Sequence, residues 1–450
     1  MSKDIRIKKG LNIKLKGVAD KILASFDSAV MYSIRPSDFT GLEPKLSVKE
    51  GDRVLAGQAL LYDKHNERIK ICAPVSGEVT EIVRGDKRKL LEVRILPDSE
   101  IEYLPFKAQS PTALKREEII EALLEYGMWP FIRQRPYAVI ANPSDAPKSI
   151  HISCFDSAPL AADTDFTMHG LEEEFHIGLE VLKKLTSGKV HLNLDGSTNP
   201  DKAFTSAQGV VINRFTGPHP VGNVGVQIHH LEPLSKGEIV WYTYPQDVVA
   251  IGRLFLKGKA DFTRTIAITG SQVLKPRYTK ALPGAQVKNM MVENLKEGNS
   301  RIISGNVLTG KKISINGCLG FYDKQITVIP EGDQPEFFGW LLPDFSKFSN
   351  SRLLFSWLQP GKEYVLDSNM HGEERAFVVT GEYEKVFPFD IYPVQLLKSI
   401  LVEDIDRMEQ LGIYEVAEED FALCEVVCTS KFPVQETVRR GLDLVRKELS

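Results

Sequence analysis

The side chains best suited to chemistry here are a cluster of histidines and a pair of cysteines. Three of the nine histidines fall in GPHPVGNVGVQIHHLEP, which holds His219, His229, His230 and Glu232. Imidazole and carboxylate together form the donor set of a zinc centre. Read as strand, however, His229 and His230 point to opposite faces. They cannot then share one ion, so no metal site is assigned. The same stretch carries Gly217, Gly222 and Gly225, which permit close backbone approach. It follows an expected strand ending near Asn213, and ligand crevices in open α/β sheets lie beyond strand carboxyl ends. It is therefore the first candidate for a binding or interface site.

Cys424-Glu-Val-Val-Cys428 puts two thiols on one helical face. Bacterial ferredoxin clusters use C-x2-C-x2-C-x3-C-P. With Cys424 and Cys428 as third and fourth ligands, the first two positions hold Glu418 and Phe421, and the proline position holds Thr429. Phenylalanine cannot bind iron. The pair reads as a degenerate cluster motif: either thiols that hold a metal with outside ligands or face a partner, or two small, semi-buried apolar residues. Five cysteines, an odd and low count, argue for free thiols in a reducing compartment.

Other chemistry lacks its signature. There is no G-x-G-x-x-G, no P-loop, no G-x-S-x-G, no H-E-x-x-H and no C-x-x-C. Lys+Arg is 56 against Asp+Glu 60, a net charge of −4 that gives no pull toward nucleic acid. No apolar run reaches the ~20 residues of a membrane helix. The charged start, MSKDIRIKKG, lacks the apolar core of a leader, so a cytoplasmic location is expected.

The elements that must position these residues fall into four blocks. Residues 1–105 are rich in short strands. There GD-x-V-x-x-GQ-x-L followed by AP-x-SG-x-V resembles a lipoyl-like barrel-sandwich hybrid, with Lys64 near the hairpin that bears the cofactor in carrier proteins. Only three residues separate Leu60 from Lys64, too short for that hairpin, so Lys64 is read as a solvated lysine. Residues 106–258 alternate helices (110–127, Glu172–Thr186, Gln246–Lys257) with strands (Ser149–Phe155, Val190–Leu194, Gly209–Asn213, Ile239–Tyr242), the rhythm of an open, mostly parallel sheet. Residues 259–330 read as a small α+β module. Residues 331–450 become helical. Their apolar stripes run Leu396–Leu411 and Val434–Leu449.

Five stretches in order carry a resemblance: DSAPLAAD (Asp156–Asp163), GPHPVGNVGVQIHHLEP (Gly217–Pro233), YPQDVVAIGRLF (Tyr244–Phe255), ISGNVLTG (Ile303–Gly310) and EGDQPEFFGW (Glu331–Trp340). Through them the chain resembles the A subunits of the sodium-translocating NADH:quinone reductases. It resembles more distantly the C subunit of the Rnf complex and the flavin-binding subunit of complex I. The resemblance implies a barrel-sandwich hybrid, a Rossmann-like domain, a soluble-ligand-binding β-grasp module and a C-terminal helical region. It implies a peripheral subunit on the cytoplasmic face of the bacterial inner membrane, docked on the membrane subunits of its complex. That complex uses NADH, flavins, iron–sulfur and quinone to export sodium.

Within that resemblance, cofactor-bearing relatives hold flavin and nucleotide on a glycine-rich loop. The matching stretch here, Tyr126-Gly-Met-Trp-Pro-Phe-Ile-Arg-Gln-Arg-Pro136, has one glycine, and Trp129, Pro130 and Phe131 would obstruct a phosphate nest. With the cluster positions also altered, no cofactor is expected on this chain, which sets it apart from an Rnf C-like electron carrier. Arg133 and Arg135 in this stretch could bind an anion or a partner, but are read first as solvated surface arginines. Gly217, His219, Gly222, Gly225, His229 and Trp340 are the candidates for quinone or partner contact, Trp340 because Phe337–Trp340 could line an apolar slot.

Overall fold

The computed structural model describes residues 2–333, 338–339, 345–350 and 354–449, the side chain of Leu449 excepted. Trp340 lies outside the described residues.

Turn residues between short apolar runs produce two small antiparallel sheets near the N-terminus. One is ordered Tyr32–Ile34, Leu90–Pro97, Gly77–Arg84, Arg53–Val54, and the other Pro44–Leu46, Ala59–Asp63, Lys70–Cys72. Leu60, Leu61, Ile71, Val79, Val93 and Ile95 are all fully buried in their core. The chain before them lies elsewhere. Asp4–Arg6 pairs with Val211–Thr216, and Asp20–Ala24 pairs with Arg277–Ala281. The N-terminus thus laces the other two sheets together.

The seven-stranded sheet is ordered Asp4–Arg6, Val211–Thr216, Lys189–Asp195, Ser149–Ser153, Val240–Thr243, Arg133–Arg135, Val139–Ile140. Its first five strands are parallel and the last two antiparallel. Period-two alternation divides its faces. Ile150, Ile152, Leu192 and Leu194 join the core shared with Phe175, Leu179, Leu182 and Leu254, which lie on the helices Glu172–Leu185 and Pro245–Lys257. Those helices touch because Gly252 and Gly178 carry no Cβ; one at Gly252 would stand 1.8 Å from Glu174 O. His151, His191, Asn193 and Asn213 occupy the intervening positions and are equally buried.

Residues Val224–Leu231 form a helix, not the strand considered for His229 and His230. His229 and His230 are consecutive on it, with ring centroids 5.1 Å apart, rather than on opposite faces of a sheet. The competing signal is Asn223, which begins a helix although its apolar run (Val224, Val226, Ile228) alternates like a strand.

A six-stranded mixed sheet follows, ordered Lys311–Ile313, Ser300–Ser304, Gln325–Pro330, Arg264–Thr269, Arg277–Ala281, Asp20–Ala24. The C-terminal stripe expected over Leu396–Leu411 is two helices, Pro393–Leu401 and Ile405–Gln410. Glu403 between them has φ +57°, and Asp404 caps the second by accepting from Arg407 N at 3.0 Å. The final helix, Val434–Leu449, buries Val434, Val438, Leu442 and Val445 as its spacing requires.

Candidate functional site: a crevice at the strand ends

Strands Ser149–Ser153 and Val240–Thr243 are neighbours in the sheet, and the four parallel strands drawn from 106–258 run third, second, first, fourth in chain order, with Asp4–Arg6 added at the edge. The loops that leave their carboxyl ends therefore diverge and open a crevice. Phe155 and Asp156 leave the first strand, Tyr244 the fourth, and the His219–Asn223 loop the third. The six-stranded sheet supplies Gly305–Asn306 and Tyr322–Gln325, and the C-terminal region supplies Glu419. The cavity is about 210 Å³ and its wall is mainly polar.

Its cations are the distinctive feature. The Arg133 guanidinium lies over the rings of Tyr242 (4.8 Å to the centroid), Tyr244 (5.3 Å) and Tyr322 (4.6 Å). Lys324 Nζ sits 3.3 Å from the Tyr244 centroid. Among the described residues neither side chain has a hydrogen-bond or ion-pair acceptor; ring faces alone hold them. Burial pushes the Lys324 ammonium down to about 8.

His219 is buried in the same wall. Gly222 N donates to Ser157 Oγ at 2.8 Å, and Ser157 Oγ lies 3.0 Å from His219 Nδ1. The hydroxyl proton then points at Nδ1 and leaves the ring proton on Nε2. Burial pushes this imidazole down to about 4, so the ring is neutral at pH 7. The acids in the wall have protein partners. Glu419 takes Arg135 Nη2 at 2.8 Å, Asp323 takes Ser304 Oγ, and Asp156 takes Ala158 N at 2.8 Å. Burial also raises the Asp323 carboxyl toward its neutral form.

The glycines hold this wall in place. A Cβ at Gly222 would stand 2.5 Å from Ser157 N, and one at Gly225 would stand 2.5 Å from Asp420 Oδ2. Gly217, at φ +147°, would drive a Cβ to 2.4 Å from Ile7 O. Of the candidates named from sequence, His219 and Gly222 line the crevice, while Gly217 and Gly225 pack behind it. His229 lies apart: Nδ1 donates to Glu415 Oε2 at 2.7 Å and Nε2 accepts from Asp390 N at 3.0 Å. It ties the helix to the C-terminal region.

Behind the crevice runs a buried polar seam. Lys3 N donates to Asn213 Oδ1 (3.2 Å), Asn213 Nδ2 to Asn193 Oδ1 (3.0 Å), Asn193 Nδ2 to Gln227 Oε1 (3.0 Å), and Gln227 Nε2 to Val221 O (3.2 Å). A backbone donor at one end and a backbone acceptor at the other fix the direction of every amide. The second Nδ2 protons face His191 Nδ1 (3.1 Å) and His151 Nδ1 (3.5 Å). Both rings then carry their proton on Nε2, and both Nε2 atoms face Glu232, at 3.4 Å and 3.8 Å. The His151 and His191 imidazoles, with the Ser149 hydroxyl that donates to Glu232 Oε2 at 2.6 Å, hold the Glu232 carboxyl well below its usual range. Histidine, histidine and glutamate are grouped closely enough to ligate a cation, but this seam presents protons there rather than lone pairs. Glu232 is thus grouped with His151 and His191, not with His219, His229 or His230. The sequence signal was a polar residue at every second position: Ser149, His151, Ser153, then His191, Asn193, then Asn213.

Arg135 corrects an expectation. It is fully buried, not solvated, and pairs with Asp420 (3.0 Å) and Glu419 (2.8 Å). Arg133 is half-buried. Trp129, Pro130 and Phe131 form a buried turn, with Trp129 Nε1 donating to Ala141 O at 2.7 Å. At the degenerate motif, Phe421 is buried 4.5 Å from the Phe387 ring, and Glu418 pairs with Arg439. Cys424 and Cys428 are buried, and burial pushes the Cys424 thiol well up. Lys64 is exposed and pairs with Glu43 at 2.8 Å.

Residues 5–98 match the family model described as the NqrA N-terminal barrel-sandwich hybrid domain, 114–260 the NqrA second alpha/beta domain, and 265–314 the NQRA C-terminal domain. Proteins of Yersinia pestis (37% identity) and Hahella chejuensis (36%) align over 447 residues, which is 99% of this chain and 100% of each relative. A protein of Neisseria meningitidis aligns at 37% identity over the same shares. Each of the three is named as the A subunit of a Na(+)-translocating NADH-quinone reductase. With three family domains matched in order and end-to-end identity above a third, this chain belongs to the NqrA family, the A subunits of the Na(+)-translocating NADH-quinone reductases.

Proposed function

We propose that this chain works as a peripheral subunit of a complex that couples electron transfer from NADH to quinone with sodium export, and catalyses nothing alone. The end-to-end match to named NqrA proteins carries the reading. Among the described residues no helix is long and apolar enough to cross a membrane, so attachment would run through membrane-embedded partner subunits on the cytoplasmic face.

The finer architecture fits the same reading. Strand order third-second-first-fourth, with helices packed on the sheet, is that of a Rossmann-like domain over 106–258. The mixed sheet of 259–330 is taken as the β-grasp module. The barrel-sandwich hybrid is assigned to 1–105, apart from its two lacing strands, and the C-terminal region to 331–450, its described α-helices running from Tyr383–Val386 to Val434–Leu449. The absence of a redox group from this chain is supported by what fills the cofactor positions: Trp129 and Phe131 at the nest, Phe421 at a cluster position. Quinone contact is assigned to no residue of the crevice, whose polar wall lacks the apolar slot a ring and tail need.

Membranes prepared without this chain should lose most sodium-dependent NADH:quinone reductase activity, and adding the purified chain back should restore it. Unchanged activity in the depleted membranes would refute the proposal. An absorption spectrum with iron and flavin assays tests the redox-silent part separately. A yellow or brown protein would bring the Rnf C-like reading forward.

A further inference from the structure

We propose that the crevice at the carboxyl ends of the parallel strands binds a small phosphate-bearing ligand, held by Arg133, Lys324 and His219 Nε2. Three donors converge there with no acceptor of their own among the described residues. Arg133 and Lys324 are each half-buried, and charges partly withdrawn from water are ordinarily paired, because an unpaired charge is costly to desolvate. Here two cations rest only on tyrosine rings, while the neighbouring carboxylates of Glu419, Asp323 and Asp156 are hydrogen-bonded to protein. An anion in the cavity would satisfy both cations at once.

The geometry favours phosphate over a planar neutral ring. A guanidinium offers a fork that matches oxyanions in two-point contact, and an ammonium adds a point charge. Two helices, Val224–Leu231 and Pro245–Lys257, begin at the wall, directly after Asn223 and Tyr244. Helix starts favour negative charge. The neutral His219 ring contributes a donor without needing a counter-ion. A volume of about 210 Å³ suits one or two phosphoryl groups and leaves little room for a larger body. The site does not depend on whether the chain joins a respiratory complex, so its test is separate from the one above.

The test is calorimetric titration of the full-length chain with inorganic phosphate and with pyrophosphate at pH 7, ionic strength being matched with sodium chloride. Pyrophosphate should bind saturably and phosphate more weakly. Arg133→Met and Lys324→Met should each raise the pyrophosphate Kd at least about tenfold, the loss of one charge-assisted contact. Lys64→Met, on the exposed hairpin, should leave it unchanged. Circular dichroism confirms that each variant is folded, and His219→Gln serves as a third probe should one not fold. No saturable binding to the unmodified chain at millimolar pyrophosphate, or an unchanged Kd in the folded variants, would overturn the proposal. Equal loss in Lys64→Met would do so too, by showing general charge attraction.

Discussion

Arg133 and Arg135 sit two residues apart on one short strand and face the same side of the sheet. Both guanidinium groups approach the ring of Tyr242, at 4.8 Å and 5.8 Å. Arg135 is fully buried and Arg133 half-buried, but the telling difference is in their partners. Arg135 meets two carboxylates from the C-terminal region, whereas Arg133 meets three tyrosines and an open cavity. The paired arginine is part of the scaffold, because it joins the α/β sheet to the segment Glu418–Phe421. The unpaired one is available to a ligand. Partner inventory, more than burial or residue type, separates a structural charge from a binding charge.

The largest effect should come from breaking the paired side. Arg135→Met strands the buried Asp420 carboxylate and should lower stability by about 3–5 kcal/mol, read as a drop in the urea midpoint. Burial already pushes Asp420 up to about 6, and loss of the guanidinium would push it further. Asp420→Asn should relieve part of the damage in the double variant, and its failure to do so would show that the pair is not the source.

Smaller effects follow at the glycines of the wall. Gly225→Ala drives a methyl into the Asp420 carboxylate and should cost about 1–3 kcal/mol. Gly222→Ala pushes on the Ser157 backbone and should disturb His219 as well. It should weaken pyrophosphate binding in addition to lowering the urea midpoint, whereas Gly225→Ala should mainly do the latter.

On the unpaired side, Lys324 is the titrating group. Its folded value near 8 lies below the ~10.4 of a free lysine. The unfolded chain then binds the extra proton between those values, so this group's penalty is full below pH 8 and is relieved as pH rises toward 10.4. Lys324→Met should flatten that rise in stability. At pH 8 about half of Lys324 is free amine, roughly a hundredfold more than an ordinary lysine, so an amine-acylating reagent should label it first, and pyrophosphate should protect it.

The smallest effect is expected at the thiol pair. Cys424 and Cys428 lie in an apolar core with Phe421 and Val438. They should resist a thiol reagent until the chain is unfolded. Replacing both with alanine should leave pyrophosphate affinity unchanged while lowering the urea midpoint slightly. Rapid labelling of the native chain would place them at a surface instead.

Much of this frame was legible beforehand. Helices at Glu172–Leu185, Pro245–Lys257 and Val434–Leu449 carry periodicity that tertiary packing merely completes. The His219 loop was legible because glycine spacing and a preceding strand both point to a crevice. Three features were hidden. Val224–Leu231 alternates like a strand yet forms a helix. Arg135 looks like any surface arginine until a segment nearly three hundred residues later brings Asp420 to it. Lys324 and Tyr322 carry no local signal, since the sheet that delivers them is assembled from non-sequential strands. Local pattern reads elements, whereas partner inventory requires the assembled chain.

The most direct test of this division is the urea midpoint of the native chain, Arg133→Met and Arg135→Met, each measured with and without pyrophosphate. Arg135→Met should start well below the native midpoint and still gain stability from pyrophosphate. Arg133→Met should start near the native midpoint and gain nothing. The reverse pattern, or equal shifts in both variants, would contradict the assignment of one arginine to the scaffold and the other to the ligand.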